Sequence, residues 1–65
     1  MYNYEIVSFV AENPARCAKI AGVKRAEQWK TVNRQVIAAY AVMKIPYNKH
    51  EAEDSEMEIL RRVRK

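Results

Sequence analysis

Apolar residues along the chain recur three and four positions apart, the spacing of one face of an α-helix, rather than alternating as a half-buried strand would. Glycine occurs once and proline twice, so breakers are few and their positions divide the chain. The pattern predicts an all-α fold, a small bundle of three to four helices. Asn3 or the terminus itself is placed to cap a first helix from about Tyr4 to Ala11, with Ile6, Val10 and Phe9 directed inward. A strand over Tyr4 to Val10 is the competing reading, because that segment is rich in β-favouring residues. In a helical chain such a strand would have nothing to pair with.

Asn13-Pro14 is the clearest helix start. Asparagine accepts from the orphan amides of a first turn, and proline fits the first helical position, where its missing N–H costs nothing. A short helix over Ala15 to Ala21 should follow, ended by Gly22, which takes the left-handed conformation cheaply. Ala18 and Ala21 are small, as a close helix crossing requires. A long helix then begins near Lys24 to Ala26. On its wheel Trp29, Val32, Val36, Tyr40 and Met43 fall within an arc of about 80°, which marks them as the core stripe.

The opposite side of that helix's first half is polar, with Glu27, Lys30, Thr31, Arg34 and Gln35. From Val36 to Met43 it is apolar all round, so this half must be enclosed by the other helices or by a second subunit. Pro46 stops the helix by pushing its preceding residue out of the α region. A last helix starts at Asn48 or at Ser55, since Asn48 with Glu51 and Ser55 with Glu58 both have capping-box spacing. Met57, Leu60 and Val63 supply its apolar face. The expected organisation is a helical core over 1–47, containing the paired unit 14–45, and a charged amphipathic helix over 48–65.

With 65 residues, a chain buries only about 60% of the surface its unfolded form exposes. One cysteine and one histidine permit neither an internal disulfide nor a four-ligand zinc site, so helix packing or a partner must supply stability. No cofactor is expected. There is no apolar run of about 18 residues and no signal-peptide order at the start, so no membrane association and a cytoplasmic location are expected; the lone thiol agrees with a reducing compartment.

The net charge of +4 conceals a block pattern. Between Pro14 and Lys49 stand Arg16, Lys19, Lys24, Arg25, Lys30, Arg34, Lys44 and Lys49, against Glu27 alone. Glu51, Glu53, Asp54, Glu56 and Glu58 follow, and the chain ends on Arg61, Arg62, Arg64 and Lys65. Such blocks separate a polyanion-facing middle from an acidic segment.

With a small residue at Ala18, four before the turn glycine Gly22, and apolar Val23 just after it, the unit resembles helix-turn-helix DNA-binding domains of the phage-repressor type over about 25 residues. That family normally places apolar residues six and nine positions after the glycine, which here are Gln28 and Thr31. The apolar residues fall one position later, at Trp29 and Val32, implying a longer turn or a helix pair of only general similarity. The resemblance implies that the front of the long helix enters the major groove. There Arg25, Gln28, Lys30, Thr31 and Arg34 are candidates for base edges, and Arg16, Lys19 and Lys24 for phosphate. The plain alternative for each is a charge that solvates an amphipathic helix.

DNA is therefore the expected partner and transcription regulation the expected role, with a homodimer formed through Ile37, Ala38, Ala41, Val42 or the last helix. The alternative is an adaptor or inhibitor, of the kind some phages encode, that binds RNA polymerase or another transcription component by protein contact. Trp29 is expected as a core anchor. A Cys17–His50 catalytic pair would have no third group to orient it and no oxyanion element nearby, and the chain is too small to enclose a pocket around its carboxylates. An enzyme is the least supported class.

Overall fold

The computed structural model describes residues 1–23 and 28–63, with backbone only for 28–30 and 63. Within them the chain forms four helices: α1 (Tyr4–Glu12), α2 (Pro14–Ile20), α3 (Gln28–Met43) and α4 (Lys49–Val63). The architecture is the all-α bundle that the periodicity predicts. α3 is its axis, since α1, α2 and α4 all pack on it; α1 lies against both α2 and α4, and the latter two do not touch each other. The expected start of α3 near Lys24 to Ala26 falls outside the described residues, as does the side chain of Trp29.

Local chemistry sets most of the helix ends. Asn3 Oδ1 accepts from the Ile6 amide at 3.2 Å and caps α1. Asn48 does the same for α4, accepting from the Glu51 amide at 3.0 Å. Of the two candidate starts, the one at Asn48 is therefore the one used, as a simple cap, since the Glu51 carboxylate bonds Tyr40 and Asn3 instead of closing a capping box. Asn13 departs from expectation. Its side chain makes no cap on α2; instead its Nδ2 and its backbone N–H both donate to the Phe9 carbonyl, each at 3.0 Å. With α1 ending one residue before it, Asn13 satisfies an orphan carbonyl behind it rather than amides ahead, and Pro14 removes one of those amides anyway.

α2 and α3 end by the same device. Gly22 has φ +75°, and its amide reaches Lys19 O at 3.1 Å while the Val23 amide reaches Ala18 O at 2.9 Å. Lys44 has φ 56°, with Lys44 N to Ala41 O at 3.2 Å and Ile45 N to Tyr40 O at 3.0 Å. Both are Schellman motifs, in which a left-handed residue lets its own amide and the next one close the last turn. α3 thus stops two residues ahead of Pro46, through Lys44.

The core joins Ile6, Val7 and Val10 of α1, Cys17 of α2, Val32, Val36, Ala39 and Tyr40 of α3, and Ala52 and Ile59 of α4. Tyr2, Phe9, Met43, Ile45 and Leu60 pack around it half-buried. Each fully buried aliphatic contributes roughly 1.5–3 kcal/mol relative to exposure, which in so short a chain is most of the driving force. The expected stripe on α3 is present at Val32, Val36, Tyr40 and Met43.

Two expectations about faces are corrected. Gln35, placed by its polarity on the outer side of α3, is buried, and its Nε2 donates to Thr31 Oγ1 at 3.1 Å; a paired amide one position from Val36 is carried inward with the core stripe. Met57, read as part of the inner face of α4, is 63% exposed. The inner face runs through Ala52, Ser55 and Ile59, because small Ala52 and Ser55 allow the close approach of α1 that a methionine would prevent. The back half of α3 is enclosed by the chain only in part: Val36, Ala38, Ala39 and Tyr40 are buried, while Ile37 remains 45% exposed and Ala41 lies open beside it.

A polar knot ties three chain segments where the apolar core ends. Glu51 Oε1 accepts from the Tyr40 hydroxyl at 2.7 Å and from Asn3 Nδ2 at 3.2 Å. Ser55 Oγ donates to the Glu51 carbonyl at 2.8 Å and accepts from the Asn3 amide at 3.1 Å. These bonds hold the start of α1 and the start of α4 against the end of α3, and no buried side-chain polar atom among the described residues lacks a partner.

Candidate nucleic-acid interface

The Schellman turn at Gly22 directs the chain off the end of α2 toward the front of α3, where sequence reasoning concentrates the candidate contacts. Cys17 and Ala18 face the core, so Arg16, Lys19 and Ile20 are left on the outside of α2. Arg16 lies with its guanidinium 5.7 Å from the centroid of the Phe9 ring, a cation–π contact that fixes the stem while leaving the residue exposed. Lys19 is exposed one turn further on.

On α3, Arg34 is exposed. Thr31 is not an outward contact: it is half-buried and its hydroxyl accepts from Gln35. Lys24 and Arg25 lie outside the described residues, and so do the side chains of Gln28 and Lys30. Of the eight candidates the structure therefore places Arg16, Lys19 and Arg34 in the open on α2 and α3 and turns Thr31 partly inward.

Arg34 forms one wall of a shallow open groove of about 300 Å³ between α2 and α3, completed by Ile20, Ala21, Ile37, Ala38 and Ala41. The cations are accordingly interleaved with apolar surface. Sequence reading gave Ile20 no role; its signal was an isoleucine two positions beyond the buried pair Cys17 and Ala18, hence off the inward face of a seven-residue helix.

The electrostatics of this surface are one-sided. The ion pairs of the described residues all involve α4: the Met1 amine with Asp54 at 2.7 Å, and Glu58 with Arg61 and Arg62, each at 3.3 Å. Neither Lys19 nor Arg34 has a carboxylate within 4.0 Å among the described residues. The acidic run 51–58 is consumed largely at home, with Glu51 in the polar knot, Glu56 accepting from Asn33 Nδ2 at 3.1 Å, and Glu58 in its own helix.

Nucleophilic chemistry finds no support at Cys17. The thiol is buried, and burial pushes its pKa up despite the opposing pull of Arg16, so the reactive thiolate is disfavoured. His50 lies exposed in the first turn of α4 rather than in a connector. Comparison with protein-family models, curated proteins and solved structures found no match to this chain.

Proposed function

We propose that this chain is a small transcription regulator that binds DNA through the basic surface of α2 and the front of α3. What supports the reading is the unneutralised state of its cations: Lys19 and Arg34 face solvent without a carboxylate partner among the described residues, while Asp54 and Glu58 pair elsewhere. A polyanion completes such a surface by releasing its own counterions. Arg16, Lys19 and Lys24 hold phosphate in this account; Arg25, Gln28, Lys30 and Arg34 are its candidates for base edges in the major groove of DNA, and Thr31 supports Gln35 instead of reading a base.

A second reading is favoured by the apolar groove beside Arg34, which suits protein more than nucleic acid: an adaptor or inhibitor that docks on a component of the transcription machinery. Affinity capture on the immobilised chain, with and without nuclease, separates the two. DNA binding predicts that captured material is lost on nuclease treatment, whereas polymerase retained after nuclease overturns it in favour of protein contact.

A further inference from the structure

The groove lies on a larger face with opposite charges at its two edges. Residues three and four apart on a helix share a side, so Arg34, Ile37 and Ala41 form one strip along α3, bordered on α2 by Ile20. Asn33, one position from Arg34, bonds Glu56 of α4 at 3.1 Å, which fixes the edge of α4 that borders this strip. Glu53, three before Glu56, shares that edge and is exposed. Crossing the face from α2 to α4, one meets Ile20 and Arg34, then Ile37 and Ala41, then Glu53.

Two exposed isoleucines stand on it, Ile20 at 46% and Ile37 at 45%. The face has a positive edge at Arg34 and a negative edge at Glu53, and a face of that kind is complementary to itself when turned over. We infer that a second copy of this chain covers it, as a two-fold dimer in which the Ile37 strips of the two copies meet. Rotation about an axis near Ile37 brings Arg34 of one protomer against Glu53 of its partner, twice over. Such a contact is isologous, so it closes at two copies and leaves no open end.

The dimer does not depend on the DNA reading. It places Arg34 at the border of two surfaces and leaves Arg16 and Lys19 outside the protein contact. Its energetic centre is Ile37 packing into the facing groove, and the rim charges set orientation more than affinity.

Sedimentation of the full chain without nucleic acid, between about 1 µM and 1 mM, tests it. A single monomer–dimer equilibrium is expected. Ile37→Asp should weaken it at least tenfold; because Ile37 is half open in the single chain, the far-ultraviolet circular dichroism should stay helical. Arg34→Glu should weaken the dimer about tenfold, Glu53→Arg should do likewise, and the double variant R34E/E53R should recover most of the loss, since each contact is then restored with its charges exchanged. A monomer throughout the range, a dimer indifferent to Ile37→Asp, or growth beyond two copies would each overturn the proposal. Failure of the double variant to recover would overturn the pairing of Arg34 with Glu53.

Discussion

At the residue scale the two left-handed positions make opposite predictions from the same geometry. An added Cβ at Gly22 meets nothing within 4 Å, so Gly22→Ala tests the φ of +75° alone. It should cost about 1 kcal/mol in a urea unfolding curve. Lys44 already bears that conformational cost at φ 56°; Lys44→Gly should stabilise by about 0.5 kcal/mol, the relief of strain being partly offset by the freer unfolded chain. The polar knot predicts a pH profile. Hydrogen bonds from Tyr40, and next from Asn3, hold the Glu51 carboxyl below its ordinary value, so its stabilising effect is present at neutral pH and fades as pH falls through the carboxylate range. Burial, and next the bond to Glu51, push the Tyr40 hydroxyl up from 10.0 to about 12, so its contribution holds below about pH 10 and is lost as pH rises toward 12. Thermal melts from pH 3 to 11 should show a plateau between these limits, and Glu51→Gln should flatten the acid limb; an unchanged acid limb in that variant would show that Glu51 does not cause it.

At the element scale the test is which face of α4 holds the bundle. Ile59 is buried at 2% exposure and Met57 is open, so Ile59→Ala should cost about 2–5 kcal/mol, whereas Met57→Ala should change monomer stability by less than about 0.5 kcal/mol. Equal effects would mean that α4 is rotated from the placement described. This face is also where the sequence was least legible. Its apolar letter Met57 points away from the core, whereas the helix buries the small residues Ala52 and Ser55, whose value lies in how closely α1 approaches and in the bond that Ser55 Oγ accepts from the Asn3 amide, distant in sequence. No window along the chain contains that information. The caps at Asn3 and Asn48, the turn at Gly22 and the stripe Val32, Val36, Tyr40 were legible because each depends on neighbours within one or two turns. Asn13 was ambiguous for a local reason, standing between two helices and able to serve either. On the candidate surface, the exposure of Arg16, Lys19 and Arg34 followed from periodicity, but the bond between Thr31 and Gln35 required the fold.

At the scale of the whole molecule, charge and apolar surface divide the labour. α1, α3 and α4 meet in the core and the polar knot, the acidic residues of α4 are largely engaged within the bundle, and Arg16, Lys19 and Arg34 are left to face outward. No helix among the described residues is long and apolar enough to cross a membrane. The central claim is that these outward cations engage nucleic acid, and fluorescence anisotropy with a labelled random-sequence duplex at rising salt tests it most directly. Affinity should fall linearly on a log–log plot, by about 0.9 per phosphate neutralised, and the double variant Arg16→Ala with Lys19→Ala, checked by circular dichroism for retained helix, should reduce the slope by roughly two. Absence of binding even at the lowest salt, or a slope that the double variant leaves unchanged, would contradict the account.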